Sequence, residues 1–352
     1  VLVDEVEVLE EPQHADVGAE AGGEVQRPAP PGGAFDQEPG GVVEGVDQAG
    51  VAAADEEPPA VAAEGESVER LLERDELRRV AAAQAERAHA FGRRFNIPHV
   101  FERYEGLLQC PDLDVVYIAT PHTLHCENSL MCIEGGLAVL CEKPFAMHAS
   151  DARRMTAAAQ RNNVFLMDAL WTRFIPATRH AFAFIEDNFI GEVHTVKADF
   201  GFHQPFDPDS RLFNKSVGGG SLLDIGIYPV LLSLFILGIP DKASIQAVAT
   251  FAETQVDDSC VFTFQYGNGK MALGHSTVRS NTPTEAFIYG TKGHIRLHAP
   301  WHHTQQLTCV QYDGREESRQ EITYSYEGWG YHFEAAHVTE CLLQGKKESP
   351  LV

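Results

Sequence analysis

Ionisable side chains in this sequence stand directly after segments that predict buried strands. Lys143 follows the apolar run Leu137–Leu140, and ligands of open α/β sheets bind outside the carboxyl ends of the strands. Asp224 and Tyr228 stand four residues apart in a predicted helix, so they share one face. A carboxylate in so apolar a helix needs a partner. Two alternatives stay open: a solvated Lys143, and an Asp224–Tyr228 pair that only holds a domain interface.

Two histidines follow another predicted strand. His122 and His125 come after Thr120-Pro121 and are three residues apart. Such a pair is able to ligate a metal ion, but no third ligand stands at a suitable spacing nearby. The sequence therefore predicts the start of a helix at the crevice, and no metal site.

Flat and charged side chains follow a third predicted strand, at Trp171, Arg173 and Phe174. The rings offer apolar surfaces and the guanidinium group offers donors in a fixed fork; ordinary packing is the alternative. Gly218–Gly220 precede the helix that carries Asp224. Glycines at such a place permit a ligand to approach backbone N–H groups closely.

The order of elements predicts two different layers. From residue 77, apolar runs alternate with helical patterns, which is typical of an α/β layer with a parallel sheet. Beyond Trp171, several extended runs follow a helix at Ser221–Leu237, and turns such as Gly267-Asn-Gly269 separate them. These runs predict an antiparallel sheet. Pro229 cannot donate to the carbonyl of Ile225, so the helix is predicted to bend there.

Residues 1–76 differ in composition from the rest. The first 70 residues contain 18 Asp and Glu against two basic residues, and no Ile, Lys, Thr, Asn, Met or Cys. Such a stretch cannot bury enough apolar surface to offset the cost of ordering it. It is predicted to be an acidic low-complexity segment, either disordered or a non-native translation. Domains are predicted at residues 77–144 and 145–352.

Charge and cysteine content bound the partners and the compartment. The 352-residue chain carries 27 Lys and Arg against 51 Asp and Glu, a formal net charge of −24, which argues against nucleic acid or an anionic membrane as a partner. Its longest apolar stretch, Pro229 to Ile239, is too short to span a bilayer. Seven cysteines without a C-x-x-C pair fit a reducing compartment. The predicted location is the cytoplasm.

Several motifs carry a resemblance to one family. Glu142-Lys143-Pro144 resembles the E-K-P signature of the glucose–fructose oxidoreductase/inositol dehydrogenase (Gfo/Idh/MocA) family, and Val115–Pro121 resembles the strand that precedes it there. Gly218–Tyr228 is similar to the family's G-G-G-x-x-x-D-x-G-x-Y/H segment. Within the family, Trp171–Phe174 and Tyr228 are most similar to the branch of dihydrodiol dehydrogenases and NADP-dependent D-xylose dehydrogenases.

This resemblance, from about Leu77 to Val352, implies a fold and an activity. The fold is an α/β Rossmann-like dinucleotide-binding domain, incomplete at its N-terminus, followed by an α+β domain with a large, mainly antiparallel, open-faced sheet. The activity is hydride transfer between NAD(P) and a hydroxyl-bearing carbon of a sugar or cyclic trans-diol. Tyr228 is the implied acid and base, and the ammonium group of Lys143 is expected to lower the pKa of Tyr228. Asp224 is expected to orient Lys143 or to bind a substrate hydroxyl.

The resemblance also implies which residues contact the cofactor, NADP or NAD, and the substrate. The implied cofactor-binding residues are Thr120, Pro121, His122, His125, Glu142, Lys143, Trp171 and Arg173. The implied substrate-binding residues are Trp171, Phe174, Phe202, Asp224 and Tyr228. A cis Lys143–Pro144 peptide is expected, and so is a homodimer or higher homo-oligomer formed through the open sheet face.

The N-terminal part departs from the family pattern. Residues 1–80 contain no glycines at i, i+2 and i+5, so the turn that holds a pyrophosphate is absent from this sequence. The central first strand is predicted to be missing, since Val1–Leu9 would replace it only by chance. Ala83-Gln84 supplies neither a carboxylate for NAD nor a cation for NADP. The alternative interpretation is a non-catalytic or defective member that lacks cofactor binding and retains a folded, self-associating second domain.

Overall fold

The structure is a computed structural model that describes residues 2–3, 79–82, 85–110 and 113–352. Apart from Leu2–Val3, the acidic segment predicted at residues 1–76 lies outside these residues. Ala83-Gln84, the segment expected to face the ribose of the cofactor, lies outside them as well.

A parallel sheet of six strands forms the first layer, in the order β3-β2-β1-β4-β5-β6. Its strands are β1 Leu2–Val3, β2 Arg79–Ala81, β3 His99–Phe101, β4 Val115–Ala119, β5 Ala138–Glu142 and β6 Leu166–Ala169. Helices α1 Ala85–Arg94, α2 His125–Glu134 and α3 Ala149–Asn162 connect them. This is the strand order of the dinucleotide-binding fold, so the predicted Rossmann-like layer is confirmed.

Side chains of the central strands are buried on both faces of this sheet. Val139 and Cys141 of β5 pack into one hydrophobic cluster, while Ala138 and Leu140 pack into another. Successive residues of a strand point to opposite faces, so the two clusters lie on the two sides of the sheet. This arrangement explains why the strand is apolar throughout rather than alternating.

The prediction that the central first strand is missing is wrong for the backbone. Leu2 pairs in parallel with Ala81 of β2 and with Ile118 of β4, and Val3 pairs with Ala119. Ladder hydrogen bonds use backbone groups alone, so a short extended segment can fill this place without the family's sequence. The strands β2 and β4 therefore do share a neighbour.

A sheet of eight strands forms the second layer, in the order β14-β13-β12-β11-β7-β10-β9-β8. Its strands are β7 Val193–Gly201, β8 Ile245–Phe251, β9 Asp257–Gln265, β10 Met271–Thr277, β11 Ala286–Gly290, β12 Gly293–Leu297, β13 Gln306–Asp313 and β14 Glu316–Thr323. The helices of this part are α4 Pro176–Glu186, α5 Ile227–Leu237 and α6 Tyr331–Leu343. Only β7 and β10 pair in parallel among its described strands, so the mainly antiparallel sheet is confirmed.

Two elements cross the boundary that the sequence placed after residue 144. Strand β6 belongs to the first sheet, where it pairs with β5. Val338 and Cys341 of α6 pack with Phe165 and Met167, next to and within that strand. The first layer therefore draws on residues of the range predicted as the second domain.

Strand β14 was not predicted from the sequence. Its segment, Glu316–Thr323, contains one apolar residue, Ile322, and nearly all of its side chains are exposed. An edge strand that is solvated on both faces has no apolar alternation to reveal it. Its pairing with β13 extends from Asp313–Glu316 to Gln306–Thr323.

The helix predicted at Ser221–Leu237 consists of two parts. Leu222–Gly226 forms a π-helical turn, and α5 begins at Ile227. Pro229 therefore follows the wider turn within one continuous helical run that begins at Ser221, and it has no N–H to donate to the Ile225 carbonyl. The predicted irregularity is present, but it takes the form of a wider turn before the proline. Such turns are often found at functional sites.

The segment Lys215–Leu237 is long and apolar enough to cross a membrane by length and composition, with a mean hydropathy of 1.9. The expectation that no stretch reaches this length is therefore wrong. Half of the most apolar window is buried inside the protein, and Tyr228 and Leu232 lie in the main hydrophobic cluster of the second layer. Core helices of globular proteins pass the same test.

A glycine in β10 makes room for an aromatic ring of the neighbouring strand. Gly274 pairs with Phe262 of β9, and a Cβ atom at residue 274 would overlap the Phe262 ring. Phe262 is buried and stacks on Phe264 with their ring centroids 4.9 Å apart. The ring therefore covers the glycine backbone and cannot move aside cheaply.

We expect Gly274→Ala to lower the free energy of unfolding by about 1–3 kcal/mol, because overpacking a filled core displaces side chains from their preferred rotamers. Gly267→Ala is the control, since a Cβ atom there meets nothing within 4 Å. Urea unfolding followed by circular dichroism measures both. Equal stability of the two variants would contradict this packing argument.

Candidate active site

A buried carboxylate joins the two layers at the carboxyl end of β5. Lys143 directly follows β5, and its Nζ donates to the Asp224 backbone oxygen over 2.8 Å and to Asp224 Oδ1 over 3.1 Å. Arg211 Nη1 donates to the same Oδ1 over 2.8 Å. Burial alone would raise the pKa of Asp224, but the Lys143 ammonium and the Arg211 guanidinium outweigh it and hold that pKa below its usual range.

Tyr228 lies beside this ion pair. The Nζ atom of Lys143 is 5.4 Å from the centroid of the Tyr228 ring, and Trp171 Nε1 donates a hydrogen bond of 2.9 Å to the Tyr228 hydroxyl. The π-helical turn brings Asp224 and Tyr228 to the same side, as their spacing predicts. The structure thus brings together Lys143, Asp224, Tyr228 and Trp171, which the sequence named from three separate segments.

The expectation that Lys143 lowers the pKa of Tyr228 is wrong for this arrangement. Burial raises the pKa of Tyr228 well above its usual value, and the nearby Glu142 and Asp224 carboxylates raise it further, while the hydrogen bond from Trp171 lowers it. The charge of Lys143 is paired with the Asp224 carboxylate, whose Oδ1 atom lies 3.1 Å from Lys143 Nζ. The free chain therefore holds Tyr228 as a protonated phenol.

His125 has a structural role. Its imidazole is fully buried, with Nδ1 at 2.8 Å from the Pro144 oxygen and Nε2 at 2.8 Å from the Thr120 oxygen. Both ring nitrogens therefore contact backbone oxygens, and a contact of His125 with the cofactor stays a prediction. The ring ties the end of β4 to the Lys143–Pro144 peptide, which is cis as expected.

Thr120, Pro121 and His122 form the strand end next to the site. The Thr120 side chain is buried and accepts from Asn128 Nδ2 over 3.2 Å, while Pro121 is partly exposed. His122 Nδ1 lies 3.0 Å from the Gly218 oxygen, and burial lowers the pKa of His122 to about 4. His122 is therefore neutral at physiological pH.

The N–H groups of Gly218–Gly220 are already paired within the chain. They donate to the backbone oxygens of Lys215, Asn214 and Leu212. Gly218 adopts a φ of 86°, and a Cβ atom there would lie 2.9 Å from the His122 Cβ. This glycine is required because the backbone turns left-handed where His122 packs against it.

Buried carboxyl groups interact with one another next to Lys143. Glu142 accepts hydrogen bonds from the Tyr117 hydroxyl and, over 3.0 Å, from the Lys143 N–H. Burial, and then the charge of Glu142, raises the pKa of Asp168 to about 7. Burial together with Glu142 and Asp168 raises the pKa of Glu334, on α6, well above its usual value. Repulsion among these groups favours their protonated forms.

Three predicted residues lie away from the Lys143 ammonium group. Arg173 stacks over the Phe182 ring at 4.0 Å, in the second layer. Phe174 is buried in the cluster beneath the first sheet, against His337, so its prediction as a substrate-binding residue is not supported by its position. Phe202 is one ring removed from Tyr228, since it contacts Phe200.

Several residues of the site escaped the sequence argument. Arg211 stands in an irregular loop and carries no motif that points to Asp224. Phe200 and His302 surround Tyr228, with ring centroids 5.5 Å and 5.4 Å from it, but they come from β7 and from a short turn at Trp301–His303. Glu334 gave no distinct signal, because its helix also contains Glu340 and two histidines. Among the described residues, no group of three His, Cys, Asp or Glu side chains is arranged to hold a metal ion.

Family models match both layers of the chain. Residues 50–169 match the oxidoreductase family with an NAD-binding Rossmann fold, and residues 178–296 match the GFO/IDH/MocA C-terminal domain. The chain belongs to the GFO/IDH/MocA family of oxidoreductases.

Individual relatives agree with this membership. The chain is 37% identical over 281 residues to trans-1,2-dihydrobenzene-1,2-diol dehydrogenase of Mus musculus, which covers 78% of this chain and 82% of that protein. Among solved structures, it is similar to aldose-aldose oxidoreductase from Caulobacter crescentus, with 25% identity, a TM-score of 0.68, and coverage of 78% and 82%. Levoglucosan dehydrogenase in complex with NADH shares the fold at 23% identity, with a TM-score of 0.71 and the same coverage.

The described residues fit the nicotinamide end of such a cofactor. A lysine, a phenol and an indole converge at the carboxyl end of β5, where this fold places its ligand. Buried polar atoms beside them lack hydrogen-bond partners within the described ranges, namely Asp168 Oδ1 and Glu334 Oε2. Trp171, Glu142, Thr120 and His122 would line that end.

We expect Asp168→Asn to raise the stability of the protein at pH 8. The pKa of Asp168 is ~4 in the unfolded chain and about 7 in the folded protein. The free energy of unfolding of the wild type therefore falls as the pH rises from ~4 to ~7, because the folded state holds the proton more tightly. An amide does not titrate, so Asp168→Asn avoids this loss. The gain at pH 8 should be about 2–4 kcal/mol, with no gain at pH 4.

Thermal unfolding of Asp168→Asn and the wild type at pH 4, 6 and 8 measures this effect. Asp313→Asn, at an exposed residue of β13, is the control and should follow the wild type. A pH dependence that is unchanged in Asp168→Asn would refute the assignment.

Proposed function

We propose that this chain oxidises a hydroxyl-bearing carbon of a cyclic trans-diol or a sugar with NAD(P), and catalyses the reverse reduction. The observation that carries this proposal is the position of the Lys143 ammonium, 3.1 Å from Asp224 Oδ1 and 5.4 Å from the Tyr228 ring, at a Rossmann strand end. The similarity to a trans-1,2-dihydrobenzene-1,2-diol dehydrogenase supports the diol. The glycerol complex of a similar aldose-aldose oxidoreductase supports a polyhydroxylated ligand.

The bound nicotinamide supplies the hydride acceptor or donor. In the oxidation, Tyr228 takes the proton of the substrate hydroxyl while the carbon loses its hydride; in the reduction, Tyr228 returns that proton to the oxygen. Lys143 stabilises negative charge on the oxygen that gains or loses the proton. Asp224 and Arg211 hold the Lys143 side chain in place through the bonds described above.

The high pKa of Tyr228 in the free chain favours this cycle in the direction of reduction. A protonated phenol is ready to donate, whereas the oxidation requires that the phenol first lose its own proton. A positive charge bound beside the ring would lower the pKa of Tyr228. The oxidation is therefore expected to accelerate at alkaline pH.

We expect Tyr228→Phe to lower kcat for diol or sugar oxidation by a factor of ~10²–10⁴, because it removes the acid and base, and to leave NAD(P)H binding within about twofold. Lys143→Met should lower kcat similarly. Tyr312→Phe, at an exposed residue of β13, is the control. Nicotinamide fluorescence measures binding and absorbance at the nicotinamide band measures turnover.

A folded wild-type chain without detectable NADH or NADPH binding would contradict the proposal. That result would instead favour a non-catalytic or defective family member, which the missing glycine turn suggests. Turnover that survives in Tyr228→Phe would contradict the role of the phenol.

We further propose that the chain forms a homodimer through the open face of its large sheet. Apolar side chains are exposed on this face, on neighbouring strands: Val248, Val261, Met271, Leu273 and Tyr289. Polar residues such as Thr195 and Lys197 stand among them on the same face, and a mixed surface with several exposed apolar side chains is able to form an interface. The high negative charge also supports a protein that contacts neither nucleic acid nor an anionic membrane, and the seven free cysteines support a cytoplasmic location.

We expect Leu273→Glu to shift the chain from dimer to monomer, because a buried unpaired carboxylate at the interface is costly. Leu343→Glu, at the exposed end of α6, is the control and should stay dimeric. Size-exclusion chromatography with light scattering gives the mass. A monomeric wild type would overturn the assembly.

A further inference from the structure

His302 has a buried imidazole that takes no part in the proposed proton and hydride transfer. It lies in the turn Trp301–His303 with 7% of its surface exposed, and its Nδ1 atom has no hydrogen-bond partner among the described residues. Leaving a buried polar atom unpaired costs free energy, so such an atom calls for a physical explanation. Its position beside the site suggests one.

Aromatic rings hold this imidazole against the site. His302 stacks on Phe200 with centroids 4.1 Å apart and an angle of 16°. It meets the Trp171 ring edge-on at 5.8 Å and the Tyr228 ring at 5.4 Å. His302 is therefore a direct neighbour of both the phenol and the indole that bonds to it.

The backbone of this turn is fixed from both sides. The Thr172 hydroxyl donates to the His302 backbone oxygen over 2.7 Å, and Trp301 Nε1 donates to the Asp199 oxygen over 2.8 Å. These bonds, with the stacking on Phe200, limit any rotation of the imidazole towards solvent. The unpaired nitrogen is thus held at the site.

The charge state of His302 suits a neutral polar ligand. Burial lowers the pKa of His302 well below its usual value, and the nearby His303 and Lys143 lower it further. A neutral imidazole carries one N–H donor and one acceptor nitrogen. A hydroxyl group can pair with either. A carboxylate or phosphate group would find no positive charge on this ring.

The imidazole of His302 and the phenol of Tyr228 are buried neighbours. Tyr228 and His302 are both buried and their ring centroids are 5.4 Å apart, so a substrate held at the phenol would lie next to the imidazole. A hydroxyl next to the reacting carbon would satisfy the unpaired nitrogen. A substrate that lacks this hydroxyl would leave it unpaired, which is how sites reject such analogues.

We propose that His302 is a specificity-determining residue whose Nδ1 atom binds a second hydroxyl group of the substrate, adjacent to the one on which Tyr228 acts. This inference rests on the proposed function and narrows its substrate class to vicinal diols. The ring of His302 takes no part in the proton transfer. It selects the substrate.

Substitutions at residue 302 separate the polar atom from the ring. His302→Asn keeps a polar atom near the place of Nδ1, His302→Gln moves it towards the place of Nε2, and His302→Phe keeps only the ring. The substrates are trans-cyclohexane-1,2-diol and cyclohexanol, assayed with NADP and NAD. Thermal unfolding and NADPH fluorescence show which variants remain folded and bind the cofactor.

For the diol, we expect kcat/KM to fall by a factor of ~10–100 in His302→Phe and His302→Gln and to stay within about threefold in His302→Asn. For cyclohexanol, kcat/KM should stay within about threefold in all of them, so the diol preference of the wild type is lost only where Nδ1 has no substitute. If one variant fails to fold, the comparison of the remaining two decides.

Three results would overturn the proposal, and they are distinguishable. A diol preference that is retained in His302→Phe or His302→Gln overturns the role of His302 and leaves the proposed function standing. A folded wild type that turns over neither alcohol and binds neither cofactor overturns both. Equal losses for the diol and cyclohexanol in every variant would show that His302 only supports the fold around Tyr228.

Discussion

The placement of one buried carboxylate determines the rest of this site. Asp224 is 4% exposed at its side chain and lies between the Lys143 ammonium at 3.1 Å and the Arg211 guanidinium at 2.8 Å. Removing Asp224 would leave the largely buried Lys143 ammonium without its carboxylate partner, which costs several kilocalories per mole. The ion cluster therefore ties the end of a parallel strand to the π-helical turn of the other layer. Because Tyr228 follows four residues later, in the first turn of α5, the bond that holds the layers together also places the phenol.

This cluster explains why the lysine does not activate the tyrosine in the free chain. The Lys143 charge is already matched by Asp224, and burial together with Glu142 keeps the proton on Tyr228. Asp168 and Glu334 retain protons near neutrality for the same reason. The site is thus rich in protonated acids whose balance depends on the charge placed among them. A cationic ring bound there would change several of these pKa values together, because the groups interact strongly.

Sequence reasoning succeeded where periodicity or spacing carries the information. The apolar run Val115–Ala119 predicts a strand buried on both faces, and the observed strand has one face buried and the other partly buried. The four-residue spacing of Asp224 and Tyr228 predicts a shared face, which is observed. It failed where tertiary contacts decide. Leu2–Val3 enters the sheet through backbone pairing alone, and β14 is solvated and lacks alternation. His302 and Arg211 reach the site through loops, whose course no short-range pattern reveals.

The last helix of the chain has a consequence for how a substrate enters. Helix α6 comes after the large sheet in sequence, yet Val338 and Cys341 are packed beneath the first sheet, and the Leu166 N–H donates to the Lys347 oxygen over 3.2 Å. The polypeptide therefore passes from the first layer to the second and back again, and the return of α6 to the first sheet holds the two layers together. A hinge motion that separated the two layers would expose the apolar side chains through which this helix packs on the first sheet. Access to the phenol must therefore come from shifts of individual side chains and loops, such as the rings around Trp171, while the two sheets keep their distance.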